Sequence, residues 1–224
     1  MDVLPPPDLD TSSARDLQNR LRDRLIRETP PGFSPVLAAG ADLSVVRGRD
    51  RGHAAIVVMD VGTLETVDRA TASVEVEFPY VPGLLSFREL PPLAVAWEGL
   101  SVRPDVIVFD AHGLAHPRRF GLACHGGLFF DLPSVGAAKS VLVGEHDEPD
   151  PERGSRAPVV HEGETVGYAV RTRSRVRPVY VSVGHRMDLP TAVELILRLS
   201  PRYRIPEPIR RAHRLSNQLR GAAG

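Results

Sequence analysis

Cysteine occurs once in these 224 residues, at Cys124. That excludes an intramolecular disulfide and fits a reducing compartment. Formal net charge is zero, from 28 Lys plus Arg against 28 Asp plus Glu. No global field therefore announces a nucleic acid or a membrane, and a nucleic-acid role would need a local patch. No apolar run approaches membrane-spanning length. The N-terminus is proline-rich and acidic, without the apolar segment of a signal peptide, so the expected location is cytoplasmic. No internal repeat is visible. Lysine is as scarce as cysteine: Lys139 is the one lysine, and every other basic side chain apart from histidine is arginine. A compact ammonium enters a tight pocket as a point charge, which a planar guanidinium cannot do, so this lysine is a candidate functional residue.

What is present is enough for a core. Hydrophobic residues make up 42% of the chain, and the length suits a single α/β domain. Residues 1–9 read as a disordered tail, 10–219 as one domain and 220–224 as a frayed end. The stretch from Val106 to Lys139 organises the domain. Val106 to Phe109 is a continuous apolar run, the sign of a strand buried on both faces, and it ends on Asp110. A carboxylate at the tip of a buried strand is well placed for a site. Gly113 and Pro117 punctuate the turn, and Pro117 suits the first turn of a helix. A second apolar strand, Ser134 to Ala138, delivers Lys139 to the same edge if the connection is a right-handed crossover.

Upstream, Thr11, Ser12 and Ser13 offer caps for a helix reaching about Glu28, with Leu17, Leu21 and Leu25 on one stripe. Three strands follow, Val36–Val45, His53–Val61 and Glu65–Phe78, spaced as an antiparallel meander. The first carries Asp42, an acid on a strand that should be apolar. Pro79 to Gly83 is a stiff turn with Tyr80 at its tip. Leu84 to Trp97 reads as a helix carrying Glu89, made irregular or divided by Pro91 and Pro92. After Lys139, Ser140–Val143 reads as a short strand and Gly144–Arg156 as an exposed polar loop. Val159-Val160, Thr165–Thr172 and Val179–Val183 are strand candidates. Leu189–Leu199 and residues 207–219 are helices, the last bearing Arg210, Arg211, His213 and Arg214. Three antiparallel strands followed by alternating helices and parallel strands is the order of the ribonuclease H-like fold, an analogy that by itself names no substrate.

That fold would set the first and fourth strands side by side, bringing Asp42 and Asp110 together with Glu89 nearby. Hard carboxylate oxygens, with no cysteine pair, indicate magnesium or manganese rather than zinc. Lys139 would neutralise charge developing on a phosphate, and His213 would position the attacking water. Arg118 and Arg119 are candidate phosphate contacts. His116 reads as a cap for a helix at Pro117 or a bond near the site. His112, His125 and His185 read as satisfied core or rim residues, and Cys124 as inert.

Several blocks resemble the endonuclease V family in order and spacing over about residues 30 to 215. They are Gly40-Ala41-Asp42-Leu43-Ser44, Pro79 to Glu89, Pro104-Asp105 with Asp110, His112-Gly113, Ala115-His116-Pro117-Arg118-Arg119 with Gly121, Asp131 to Lys139, Arg171-Thr172, Val181 to His185, and Glu207 to His213. The resemblance implies a ribonuclease H-like, magnesium-dependent enzyme, with manganese as substitute. Its expected substrate is DNA containing deoxyinosine, nicked at the second phosphodiester 3′ to the lesion to leave a 5′-phosphate and a 3′-hydroxyl. It implies that Asp42 and Asp110 bind metal, and that Glu89, Lys139 and His213 serve the chemistry. Tyr80 would be a wedge beside the flipped base. Gly83, Gly113, Gly121 and Gly136 would line the hypoxanthine pocket, with Pro82, Leu85, His116 and Arg118 as further contacts to DNA. The family usually has Asp-Gly after the fourth strand, and here it is Asp110-Ala111. If that glycine meets the base or needs positive φ, lesion selectivity should be weaker. The expectation is a monomer. The rival readings are cleavage of inosine-containing RNA and a catalytically silent lesion-binding module.

Overall fold

The computed structural model describes residues 3–6, 9–45 and 51–222. Its centre is one eight-stranded mixed sheet in the order β3-β2-β1-β4-β5-β8-β7-β6. The strands are β1 (Leu37–Val45), β2 (Arg51–Asp60), β3 (Thr66–Glu75), β4 (Val106–Phe109), β5 (Ser134–Ala138), β6 (Arg156–His161), β7 (Glu164–Val170) and β8 (Val179–Val183). The first three form the expected antiparallel meander, and β1, β4 and β5 run parallel. This is the ribonuclease H-like arrangement, extended past β5 by three antiparallel strands. Both central strands are buried along their whole length, as unbroken apolar runs require.

Five helices cover the faces: α1 (Thr11–Arg22), α2 (Leu85–Glu98), α3 (Leu122–Phe130), α4 (Leu189–Arg198) and α5 (Glu207–Ala222). Alternation along the strands divides the core. Ala39, Ile107, Phe109 and Ile56 meet Leu93 and Ala96 of α2 and Ala123 of α3. Ala38, Val106 and Val108 point the other way, with Leu17 and Leu21 of α1, Ile196 of α4 and Ile209 of α5.

The helices correct several expectations. The cap of α1 is Asp10, whose Oδ1 accepts from the Ser12 and Ser13 amides at 2.7 and 2.9 Å. The helix stops at Arg22 rather than Glu28, and the Ile26 amide pairs with His185 Nδ1 at 3.2 Å. Helix α2 is undivided and contains both Pro91 and Pro92. Each interior proline costs about 3 kcal/mol of helix, offset here by burial of Leu90, Pro92 and Leu93. Pro117 begins no helix. It is the second residue of a turn closed by Arg119 N–H donating to His116 O at 2.9 Å. Arg119 then adopts φ 54°, which stops a right-handed helix, and α3 starts only at Leu122.

Ser140–Val143 is not a strand; only Glu145 makes an isolated bridge, to Val160. The loop after it is held from inside by Arg171, which donates to Pro149 O at 3.1 Å and to Val176 O at 2.6 Å. Of the tail expected to be disordered, Val3 and Leu9 are half-buried against the core and His125 Nε2 lies 2.7 Å from Val3 O. Residues 1, 2, 7 and 8 lie outside the described residues, as do 223 and 224. Residues 220–222 form the last turn of α5.

Candidate active site

Register alone brings two acids together. Ala41 of β1 is the parallel partner of Phe109 of β4, so the next residues, Asp42 and Asp110, emerge at one level on one face. Phe109 in turn pairs with Gly136 of β5, and Lys139 follows three residues later. Its ammonium forms a short ion pair with Asp110 Oδ2. Asp42, Asp110 and Glu89 of α2 line one cavity of about 260 Å³ together with His213 and Asn217. Burial pushes the Glu89 carboxyl up to about 8, and the carboxylates of Asp42 and Asp110 add to the rise. A buried carboxyl held protonated toward neutral pH beside two carboxylates is a site whose charge a cation would relieve.

Helix α5 closes the cavity because Gly40 lets it. A Cβ at Gly40 would stand 2.2 Å from the Pro208 carbonyl carbon, so helix backbone lies directly on strand backbone. One turn further, His213 Nδ1 reaches Asp42 Oδ1 at 3.2 Å, and Ser216 Oγ donates to Asp42 Oδ2. Asn217 Nδ2 donates to His213 Nε2 at 3.0 Å, and Ser44 Oγ donates to Asn217 Oδ1 at 3.2 Å. These bonds assign the His213 tautomer: Nδ1 carries the proton toward Asp42 and Nε2 accepts. Ser216 and Asn217 escaped the sequence reading. The available signal was their spacing, three and four residues past a histidine on one helix.

Among the described residues, no three His, Cys, Asp or Glu side chains are already gathered to hold a metal ion. Lys139 pairs with Asp110, while Ser216 and His213 bond Asp42. The donor set still fits magnesium or manganese. It offers hard oxygens and no thiolate, and such ions keep several waters and need only one or two carboxylates.

Asp110 also lines a second, larger cavity, of about 370 Å³, on the other side. Tyr80, Pro82, Gly83, Leu85, His116 and Gly121 line it too, as does Lys139. The Pro-Gly pair makes a tight turn: Leu84 N–H donates to Val81 O at 2.9 Å, and Gly83 has φ 79°. That is the type II pattern, with proline second and glycine third. Tyr80, just before it, is 71% exposed and so is not a core residue.

One carbonyl anchors this turn. Gly83 O accepts from Arg118 Nη2 at 2.8 Å, His116 Nε2 at 2.9 Å and Gln18 Nε2 at 3.1 Å. Arg118 Nε also donates to Gln18 Oε1 at 2.6 Å. His116 accepts the Arg118 amide on Nδ1, so its proton sits on Nε2. Burial lowers its pKa to about 4, and the ring is neutral. His116 and Arg118, expected to touch DNA, are thus engaged in holding the Tyr80 turn in place. Gln18 was missed, though a signal existed: it occupies the buried stripe of Ala14, Leu17 and Leu21, where an amide is out of place.

The glycines divide. Gly83 and Gly121 line the larger cavity, whereas Gly113 and Gly136 do not. A Cβ at Gly113 would meet Val183 O at 2.0 Å, and one at Gly136 would meet Ala111 O at 2.4 Å. Both serve backbone packing beneath the cavity. Ala111 lines it, 5% exposed, and is not among the residues with positive φ. Its backbone therefore needs no glycine, and what distinguishes it from glycine here is a methyl group on the cavity wall. Arg119 turns inward to Glu164 Oε2 at 2.9 Å and to His161, away from the site. His125 is satisfied by Ser86 and Val3, while His112 Nδ1 is buried with no partner. Burial pushes the Cys124 thiol up to about 12, which keeps it inert.

Comparison with known proteins agrees with this geometry. The family model described as Endonuclease V matches residues 19–214. Endonuclease V of Myxococcus xanthus is 58% identical over 217 residues, covering 97% of this chain and 92% of that protein. The crystal structure of endonuclease V from Streptomyces avermitilis superposes with a TM-score of 0.92 at 44% identity, covering 100% of both chains. Endonuclease V of Ciona intestinalis, solved with a 24mer DNA containing an inosine followed by a ribo-adenosine, gives 0.83 at 25% identity, covering 95% and 98%. A match that runs nearly end to end and takes in the paired acids, the Tyr80 turn and α5 places the chain in the endonuclease V family.

Proposed function

We propose that this protein nicks DNA at the second phosphodiester 3′ to deoxyinosine, leaving a 5′-phosphate and a 3′-hydroxyl, with magnesium or manganese as cofactor. The observation that carries the reading is that Asp110 lines both cavities. A base held in the larger one leaves its own strand running past the carboxylates. An enzyme that works beside a base must take it from the stack, and a cavity of this size next to an exposed aromatic suits that task.

Asp42 and Asp110 would hold the cation, with Glu89 losing its proton to help. When bound, the ion would polarise the phosphoryl oxygen and lower the pKa of water. In the proposed chemistry, water oxygen bonds to phosphorus as the P–O3′ bond breaks, and O3′ leaves with a proton as the 3′-hydroxyl. Lys139 stands on the same strand edge as Asp110, where its ammonium would offset charge gathering on the phosphate. His213 is held by Asp42 and Asn217 with its side chain 55% exposed, and it would orient the water. Gln18, His116 and Arg118 would keep Tyr80 aimed at the duplex. Action as a monomer in a reducing cytoplasm belongs to the proposal. Among the described residues, no helix is long and apolar enough to cross a membrane.

The test is a nicking assay on end-labelled inosine duplex, with and without magnesium, mapping the cut and both new ends. Metal-dependent cutting at the second bond supports the reading. Binding without cutting would leave a silent lesion-binding module. A faster cut in matched inosine RNA would reassign the substrate.

A further inference from the structure

Away from both cavities lies a groove between α5 and the edge strand β3. Arg69 of β3, Arg202 before the helix, and Arg210, Arg211 and Arg214 on it all line this groove, against two carboxylates, Asp68 and Glu207. Neither acid is free. Asp68 accepts from the Ser101 and Val102 amides at 2.7 and 2.9 Å. Glu207 is 8% exposed and stands 3.5 and 4.0 Å from Arg210 and Arg211. Among the described residues, the exposed guanidinia of Arg69, Arg202 and Arg214 have no hydrogen-bond or ion-pair partner, in a chain whose net charge is zero. Tyr203 lies in the groove, 44% exposed, with the Arg210 guanidinium 3.8 Å from its ring centroid. Arginines beside an aromatic face along a groove are what a nucleic-acid backbone binds.

Position ties the groove to the reaction. His213 and Asn217 face the carboxylates, while on the same helix Arg214 lies about 100° and Arg210 about 60° further round from His213. β3 is two strands from β1, about 10 Å across the sheet. We propose that this groove is a second nucleic-acid site, which holds the phosphodiester backbone of the substrate where it leaves the carboxylate cavity and crosses α5. The proposal rests on the nuclease reading for its direction but not for its chemistry.

The test compares a short inosine duplex, covering little beyond the lesion and cut, with one extended on both sides, and repeats the long duplex without inosine. Arg69→Gln with Arg202→Gln should weaken binding of both long duplexes about ten-fold and flatten the slope of log affinity against log salt by about two, one phosphate per arginine. The short duplex should change far less, and Arg69→Lys with Arg202→Lys should restore most of the loss. As a control, Arg156→Gln with Arg173→Gln removes equal charge from β6 and the loop after β7, at the far end of the sheet. Equal behaviour of groove and control variants on the long duplexes would overturn the proposal. So would protection by inorganic phosphate that depends on Arg69 and Arg202 while duplex affinity does not, since that marks an isolated anion pocket. If inosine confers no preference but the long duplexes still separate the variants, the repair reading fails and the groove stands.

Discussion

Asp42 and Asp110 stand beside each other because Ala41 pairs with Phe109 across two parallel strands. A one-residue slip of either strand would turn its acid to the opposite face and part the pair. Each projects from an otherwise buried strand, so neither contributes core volume. Asp110→Ala should therefore abolish nicking while leaving the melting temperature within a few degrees of the parent. Asp42→Ala should do the same, and the double variant should be no worse than either, because ligands of one ion act as a unit. Relief of Glu89 gives a second readout. With one neighbouring negative charge gone, its carboxyl should titrate lower than in the parent, a shift visible by carboxyl NMR in metal-free protein. Full activity of Asp110→Ala in saturating magnesium would end the assignment.

Lys139 carries the chain's one side-chain ammonium and pairs it with Asp110. Arginine at that position keeps the charge but not the point geometry, and its fork would pair with Asp110 bidentately. We expect Lys139→Arg to lose on the order of ten-fold or more in single-turnover rate. An arginine variant as fast as the parent would mean that composition, not chemistry, explains the lysine.

The central sheet was legible because fully buried strands are written as unbroken apolar runs. Val106–Phe109 and Ser134–Ala138 occur in the structure at those limits. The acids were legible because a charge on such a strand has few reasons to be there. What the residues did not announce is how polar groups are consumed. Arg118 and Arg119 are chemically alike and adjacent, yet one holds Gly83 O and the other is drawn into Glu164 and His161. The difference comes from the left-handed Arg119 backbone, which no propensity for arginine suggests. Gln18 reaches a turn 65 residues away, a contact that only the assembled fold creates.

Acid should loosen the fold before it reaches the carboxylates. His116 and His125 are 2% and 0% exposed, and burial lowers each pKa from 6.5 to about 4. The unfolded chain takes up these protons near 6.5, whereas the folded chain resists them until about 4. The stability these two rings contribute is therefore whole above 6.5, falls as pH drops toward 4, and loses nothing further below that. Each ring accounts for about 3 kcal/mol at full loss. Thermal melts across that window should show a steady fall, and a flat profile would mean that the rings are protonated in the native state.

In the proposed function, Tyr80 is the residue that would open the stack for a base to enter the larger cavity. Its ring is 71% exposed, on a turn stiffened by Pro79 and Pro82 and anchored through Gly83 O by Gln18, His116 and Arg118. A rigid exposed aromatic loses little entropy when it enters a duplex. Unstacking the lesion costs a few kcal/mol, and stacking on an aromatic returns roughly 1–3 kcal/mol per base. Tyr80→Ala should weaken binding of paired inosine duplex by about that amount. Melting temperature should not move, since the side chain buries little, and metal affinity should be unchanged. The loss should shrink on mismatched or single-stranded inosine, where less stacking has to be replaced. Gln18→Ala tests the anchor separately: it should reproduce the loss on paired duplex in part, by letting the Tyr80 turn wander, while Tyr80 itself remains. A Tyr80→Ala variant that impaired single-stranded and paired substrates equally would assign the ring to contact with the strand rather than to opening the stack.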